Sequence, residues 1–258
     1  MTDFPLPNAD HDLSGQVALV TGATAGLGER FARVLASAGA HVVVTARRVD
    51  RLEALAAEIE AAGGKATPIA LDVSDAESIA SVVAEATEVC GPVRILVNNA
   101  GVVDAKRAHK MDVDLVDHVL GVNLRGPYLM SIEVAKRLIA SETPGRIVNI
   151  SSIGAFNYGG HGAALYSITK AGVVRMTEAL AVEWARNHIN VNAIAPGAFA
   201  SEMMDGMLSR MGDITAGFPR GRLGDPAQLD STLLYLCAPA SEFVTGTVIK
   251  VDDGQGPR

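Results

Sequence analysis

Short runs of β-branched and apolar residues alternate with longer amphipathic stretches along nearly the whole chain. The seven runs are QVALVT, HVVVTA, KATPIALDV, VRILVNNA, GRIVNISS, INVNAIAP and GTVIKVDDG. The stretches between them are apolar on one side, and several close on glycine. This alternation predicts an α/β fold with a doubly wound, parallel seven-stranded sheet of the Rossmann type. Because ligands of such folds bind at the carboxyl ends of the strands, we look for functional residues in the loops that follow strands.

The chain is long enough for one large core, since 48% of its 258 residues are hydrophobic. No repeat or composition break divides it. We therefore expect a flexible polar tail over residues 1–12 and a single dinucleotide-binding catalytic domain over residues 13–258. Within that domain, residues of about 197–222 are predicted to form a substrate loop; their four methionines fit an adaptable apolar lid or an ordinary core.

Charge and composition exclude several classes of partner. A formal net charge of −7 disfavours nucleic acid, whose binding proteins usually carry a basic excess. No run of about 18 uncharged apolar residues is present, so we expect no membrane segment. Cys90 and Cys237 stand far apart without a CxxC motif, which fits a reducing compartment and predicts the cytoplasm. The six histidines form no HxH or HExxH pair, so no metal site is assigned.

The first predicted strand runs into the glycine-rich segment TGATAGLG. Gly22, Gly26 and Gly28 open the helix that follows, with Thr24 and Leu27 between them. Glycines let the backbone approach a pyrophosphate, and the helix N-terminus directs amide donors at it. Glycine turns also serve strand–helix junctions that bind nothing, but this context favours a dinucleotide site.

A second motif, AALYSITKAG, places Tyr166 and Lys170 four residues apart. On a helix both side chains would share one face and could enter the same cleft. Most isolated YxxxK matches are a half-buried tyrosine beside a solvated lysine. The pair therefore needs support from the rest of the chain.

That support comes from the joint order of the motifs. TGxxxGxG, NNAG at 98–101, Asn123 in VNLRG, ISS at 150–152, the YxxxK pair and PG at 196–197 occur in one chain. In this order and spacing the sequence resembles the short-chain dehydrogenase/reductase family, including its 3-oxoacyl-carrier-protein reductases, from about Leu13 to Gly254. The resemblance implies an enzyme that transfers hydride between a nicotinamide dinucleotide and a small carbonyl or alcohol compound. It also implies a homotetramer, and we expect the segment EALAVEWARNH to present Trp184 on an outer helix face for subunit pairing.

The resemblance assigns catalysis to Asn123, Ser152, Tyr166 and Lys170. Tyr166 would donate a proton to the developing alkoxide, and lowering its pKa from about 10 to about 7 requires roughly 4 kcal/mol of preferential phenolate stabilisation. We expect Lys170 and the positive nicotinamide ring to supply it. Asn123 would support a water-linked proton path; its alternative role is an amide that braces the backbone.

The choice of the serine is less direct. The family separates this serine, which binds the substrate oxygen, from the tyrosine by about 13 residues, whereas Ser152 and Ser151 precede Tyr166 by 14 and 15. We choose Ser152 because SSIGA resembles the family's SSxxG. Ser151 would then form a backbone hydrogen bond at the strand end.

The second predicted strand ends in VVVTARRVD, where no acid is present to accept the ribose hydroxyls of NAD(H). Arg47 and Arg48 follow directly. We expect NADP(H), with Arg47 as the main contact of the 2′-phosphate and Arg48 either beside it or in solvent; NAD(H) remains possible. The resemblance adds contacts of the adenine (Asp72 and Val73), the ribose (Asn99, Ala100 and Gly101), and the nicotinamide or phosphates (Pro196, Gly197 and Ser201).

Three functions are compatible with these residues. The favoured one is an NADP(H)-dependent ketone reductase, possibly of a 3-oxoacyl thioester. An NAD-dependent dehydrogenase of a sugar acid or polyol would use the same catalytic residues. A protein that senses the dinucleotide without turnover is disfavoured because all four catalytic positions are filled.

Overall fold

The computed structural model describes residues 5–104, 106–160 and 162–256. Seven strands form one sheet in the order β3-β2-β1-β4-β5-β6-β7, and every pair of neighbours is parallel. The strands are β1 (Val17–Thr21), β2 (His41–Ala46), β3 (Lys65–Ala70), β4 (Val93–Asn98), β5 (Gly145–Ile150), β6 (Ile189–Pro196) and β7 (Val248–Val251). The predicted fold class is confirmed.

Helices connect the strands and cover both faces of the sheet. They are α1 (Gly26–Ser37), α2 (Val49–Ala61), α3 (Ala76–Cys90), α4 (Val113–Leu120), α5 (Gly126–Ala140), α6 (Ala164–Glu183), α7 (Glu202–Met211) and α8 (Asp230–Cys237). A π-helical segment, Gly121–Arg125, joins α4 to α5. Such segments are rare and often occur at functional sites.

The core lies in two apolar layers, one on each face of the sheet. Phe31 and Leu35 belong to the first layer, and Ile79 and Met130 to the second. Because both faces are covered, the central strands are mostly apolar on both sides, and all six residues of β5 are buried, the polar Arg146 and Asn149 among them. Pro68 fits in β3 because β3 is an edge strand, where a missing backbone N–H costs no ladder hydrogen bond.

The predicted tail is described in part, and one predicted helix face differs from expectation. Residues 5–12 are exposed and contain no helix or strand, while residues 1–4 of the predicted tail lie outside the described residues. The placement of Trp184 on an outer face is wrong, since α6 ends at Glu183 and Trp184 packs into the core with 8% of its surface exposed. The exposed apolar side chains of α6 are Ile168 and Val182. No helix within the described ranges is long and apolar enough to cross a membrane.

Candidate active site

A cleft of about 770 Å³ opens along the carboxyl ends of the strands. Most of the residues selected from the sequence line it, and they come from the segments at the carboxyl ends of β1–β6 and from α6. These residues are Gly22, Thr24, Gly26, Leu27, Arg47, Arg48, Asp72, Val73, Asn99, Ala100, Gly101, Ser152, Tyr166, Lys170, Pro196, Gly197 and Ser201. Gly28 and Asn123 lie behind this lining.

The glycine loop between β1 and α1 is packed too closely for side chains. A Cβ on Gly28 would lie 2.2 Å from the carbonyl oxygen of Gly22, and Gly22 itself has a φ of +67°. Ala25 precedes α1 and provides no side-chain cap, so no side chain occupies the first amide groups of the helix. A loop of bare backbone in front of an uncapped helix fits the pyrophosphate of a dinucleotide.

The loop after β4 is fastened to this glycine loop. Asn99 Nδ2 donates hydrogen bonds to the carbonyl oxygens of Thr21 (3.0 Å) and Gly22 (3.1 Å). In return, Thr21 Oγ1 accepts from the backbone N–H groups of Asn99 and Ala100, each at 3.0 Å. The sequence alone does not point to Thr21, because a threonine at the end of a strand does not by itself indicate a functional role. The two loops form one rigid floor of the cleft.

Arg48 is exposed, but its guanidinium has partners on two other elements. Its Nη2 donates to Thr24 Oγ1 at 2.9 Å and lies 3.7 Å from Glu202 Oε2. Arg51 Nη1 also contacts Glu202, at 2.9 Å. Arg48 thus links the glycine loop to the first turn of α7. No sequence pattern could have indicated this, since Glu202 lies about 150 residues away along the chain.

Arg47 is exposed at the end of β2 and makes no ion pair or side-chain hydrogen bond with the other described residues. The pKa of the neighbouring Asp72 is held below its usual value, first by hydrogen bonds from Ser74 and also by the charges of Arg47 and His118. Ser74 contributes both its hydroxyl (2.6 Å) and its N–H (2.9 Å). Arg47 is therefore a free cation on the wall of the cleft.

At the end of β5 the two candidate serines face opposite ways, as alternation along a strand requires. Ser152 lines the cleft beside Tyr166, since a Cβ on Gly154 would lie 3.3 Å from Ser152 Oγ and 3.8 Å from Tyr166 Cε1. Ser152 Oγ also accepts the N–H of Gly154 at 3.0 Å. Ser151 is buried and donates its hydroxyl to the backbone carbonyl of Lys170 at 2.9 Å. The geometry brings Ser152, and not Ser151, to the tyrosine.

Lys170 is buried, with 5% of its surface exposed, and its Nζ donates to the carbonyl oxygen of Ile150 at 2.8 Å. Nζ lies 5.6 Å from the centre of the Tyr166 ring. Burial lowers the pKa of Lys170 to about 8. Burial also raises the pKa of Tyr166, and the neighbouring Ser152 opposes this only in part. A lowering of the Tyr166 pKa by Lys170 together with the nicotinamide ring stays a prediction.

Asn123 braces the backbone. Its Oδ1 accepts the N–H of Val102 at 2.8 Å, and its Nδ2 donates to the Val102 carbonyl (2.8 Å) and to Thr169 Oγ1 (3.3 Å). A Cβ on Gly101 would lie 3.5 Å from Asn123 Oδ1 and 3.6 Å from Lys170 Nζ. The alternative considered for Asn123, a bracing amide, therefore describes its side chain, which holds the loop after β4 against α6.

Two further residues fix the ends of the helices around the cleft. Ser201 Oγ accepts the N–H of Met204 at 3.2 Å and so caps α7. Asp104, which is buried, accepts the N–H of Leu165 at 3.1 Å in the first turn of α6. This second contact was missed because its partners are 61 residues apart. It holds the helix at the residue next to Tyr166.

The outer wall of the cleft comes from the predicted substrate loop. Helix α7 and the residues that follow it contribute apolar side chains, namely Met203, Met204, Met207, Ile214 and Phe218. Two ion pairs hold this loop to the segment after β7, since Asp253 contacts Arg220 at 3.0 Å and Arg222 at 2.9 Å. Across the described ranges, no group of three or more His, Cys, Asp or Glu residues is arranged to hold a metal ion.

Comparison with known proteins agrees with this arrangement. The chain matches the family model of the short chain dehydrogenases over residues 16–211. It is 37% identical over 244 residues to a 3-oxoacyl-[acyl-carrier-protein] reductase of Aquifex aeolicus, covering 94% of this chain and 98% of that protein. It is 36% identical over 246 residues to a 2-dehydro-3-deoxy-D-gluconate 5-dehydrogenase of Dickeya dadantii, covering 94% and 96%. A crystal structure of a variant of the actinorhodin polyketide ketoreductase with NADPH superimposes with a TM-score of 0.90 at 35% identity, covering 94% of this chain and 98% of that one.

Proposed function

The chain belongs to the short-chain dehydrogenase family of oxidoreductases, and we propose that it uses NADP(H) to interconvert a ketone and a secondary alcohol. The observation that carries this proposal is the position of Ser152 beside Tyr166 inside a cleft whose floor is the glycine loop. A positioned pair of hydroxyls beside a dinucleotide site is the arrangement that carbonyl reduction requires.

In this proposal the bound nicotinamide supplies or accepts the hydride. Ser152 and Tyr166 together hold the substrate oxygen, Ser152 by a hydrogen bond and Tyr166 by the proton it donates during reduction. Because burial raises its pKa, Tyr166 is protonated at neutral pH and is ready to act as the acid. Asn123 contributes indirectly by keeping Gly101 and the loop after β4 in place.

Lys170 takes its part after the proton has left. With a pKa of about 8 it is mostly protonated at pH 7. Its ammonium, 5.6 Å from the ring centre, attracts the phenolate formed at Tyr166 in an environment from which water is largely excluded. The lysine thus stabilises the charged tyrosine that exists only during turnover.

The preference for NADP(H) is supported by the charge at the end of β2. Arg47 is free to bind a 2′-phosphate, and Arg48 lies beside it on the same wall. A guanidinium binds a phosphate through charge-assisted, often bidentate hydrogen bonds. The remaining predicted contacts, from Asp72 and Val73 to Pro196, Gly197 and Ser201, line the cleft between this end and the hydroxyl pair.

A second candidate, an NAD-dependent dehydrogenase of a sugar acid or polyol, is favoured by one contact. Glu202 accepts from Arg51 and lies near Arg48, so it offsets part of the positive charge near the predicted phosphate site. The similarity to a gluconate-type dehydrogenase points in the same direction.

A panel of ketones and alcohols assayed with both cofactors tests the proposal. We expect ketone reduction with a kcat/KM for NADPH well above that for NADH. A preference for NADH would support the second candidate. Binding of a dinucleotide without turnover of any compound would support a sensor and contradict both.

We further propose a homotetramer in the cytoplasm. Ile168 and Val182 stand exposed on α6 and are suited to isologous pairing with the same helix of a second copy. Cys90 and Cys237 are both free thiols, as in most proteins of reducing compartments. Light scattering across a dilution series measures the mass; a monomer at every concentration would contradict the pairing.

A further inference from the structure

Helix α7 presents a mixed stripe to the cleft. Met203, Met207 and Arg210 follow each other at the i, i+4 and i+7 spacing of one helix face, and all three line the cleft. The apolar wall of the substrate region therefore ends in a guanidinium group.

Arg210 has no counter-ion among the described residues. Its side chain forms no hydrogen bond or ion pair with these residues. It extends along α7, and its Nη1 would lie 3.8 Å from a Cβ on Gly206. Two other arginines of the same loop are paired, since Arg220 and Arg222 both contact Asp253. The lack of a partner thus distinguishes Arg210 from its neighbours in the loop.

Two carboxylates line the cleft among the described residues, and both are held by other groups. Asp72 accepts hydrogen bonds from Ser74, and Glu202 contacts Arg48 and Arg51. Among the described lining residues, neither these nor any other acid is paired with Arg210. The substrate end of the cleft is therefore apolar with one uncompensated positive charge, which favours an anion.

We propose that Arg210 is an anion-binding residue of the substrate site. The substrate is then an amphiphilic carbonyl compound: its carbonyl lies at Ser152 and Tyr166, its apolar part lies along the methionines, and a carboxylate or phosphate group binds Arg210. The position of the carbonyl rests on the function proposed above, whereas the anion contact does not.

Calorimetric titration with unreactive ligands tests the contact without turnover. Octanoate, octyl phosphate and the neutral octanamide are titrated into the wild-type protein and the Arg210→Met variant, each with NADP⁺ or NAD⁺ present. We expect the anions to bind roughly tenfold more weakly to the variant, the magnitude typical of one exposed charge-assisted hydrogen bond. Octanamide should bind both proteins equally, and the difference for the anions should shrink in 0.5 M NaCl.

Two further variants serve as controls. Arg210→Lys keeps the charge and should retain part of the affinity for anions. Arg33→Met removes an arginine of α1 that is paired with Glu29 and does not line the cleft, and it should behave as wild type. If wild-type protein binds octanoate more tightly than octyl phosphate, the anionic group is a carboxylate. The reverse order identifies a phosphate.

The inference is overturned if neither anion binds the wild-type protein, or if Arg210→Met weakens octanamide as much as the anions. Kinetics separate it from the proposed function. If the anion contact depends on Arg210 but no carbonyl compound is turned over, the proposed function fails and the binding site stands. Suppose that neutral ketones are reduced, but Arg210→Met lowers kcat/KM for a 3-oxo acid no more than for its methyl ester. The enzyme assignment then stands and this inference fails.

Discussion

Lys170→Met should remove a pH-dependent part of the stability of the fold and abolish turnover. The lysine is nine-tenths buried, and burial lowers its pKa from about 10.5 to about 8. Between these two values the unfolded chain binds a proton that the folded chain has released. Since stability rises with pH wherever the unfolded state binds more protons, the Lys170 contribution should increase from neutral to alkaline pH.

The size of the effect follows from the shift. Each pKa unit corresponds to about 1.4 kcal/mol, and integration between pH 7 and pH 10 gives roughly 2.5 kcal/mol in favour of the wild-type protein over the methionine variant. Cys237 has the opposite sign, because burial raises its thiol pKa to about 12 and stability is lost as the pH rises towards that value. It is present in both proteins, so it cancels in the difference.

Urea unfolding of both proteins at several pH values, without cofactor, measures this difference directly. Methionine has a similar length and fills the site without a charge, so the variant should fold. In parallel, its ketone reductase activity should fall at least about 100-fold, the usual range for a lost acid–base partner. A difference in unfolding free energy that stays constant from pH 7 to pH 10 would refute the assignment of a pKa near 8 to Lys170.

Five other substitutions test separate parts of the cleft. Ser152→Ala should lower kcat strongly with little loss of stability, whereas Ser151→Ala should cost about 1 kcal/mol of stability through its buried hydrogen bond and leave kcat less affected; the opposite ranking in kcat would reverse the assignment of the two serines. Gly28→Ala should weaken binding of both dinucleotides, measured by fluorescence titration, because its Cβ would lie 2.2 Å from a backbone oxygen of the glycine loop. Arg47→Ala should raise the Kd of NADPH by about tenfold or more and leave that of NADH nearly unchanged. Equal losses of affinity for both cofactors from Arg47→Ala would contradict the NADP(H) proposal. Arg48→Ala should weaken binding of both cofactors, since it removes a contact with the glycine loop.

The sequence predicts the fold well because each strand and helix is encoded locally. Parallel strands covered on both faces are apolar along most of their length, and the sequences of β1 (VALVT) and β2 (HVVVTA) show this. The glycine loop and the YxxxK pair are also local patterns, so the structure finds both in the cleft.

The features that the sequence could not predict depend on contacts between distant parts of the chain. The position of Arg48 depends on Glu202, and the cap of α6 depends on Asp104, neither of which any local pattern connects to its partner. Trp184 was assigned to the surface from an apolar pattern that cannot tell an exposed face from the last turn packed into the core. The pKa of Tyr166 depends on burial, which is set by the whole fold and cannot be derived from a lysine one helical turn away.

Proton donation by Tyr166 in ketone reduction is tested by a single-turnover experiment with Tyr166→Phe. The protein is mixed with saturating NADPH and a ketone that the wild type reduces, and the decay of the NADPH absorbance is followed while fluorescence titration checks that the cofactor is bound. Because only the hydroxyl is removed, we expect binding of NADPH close to that of the wild type and a rate of hydride transfer reduced by about 100-fold or more. If the phenylalanine variant binds NADPH and transfers hydride at the wild-type rate, Tyr166 is not the proton donor.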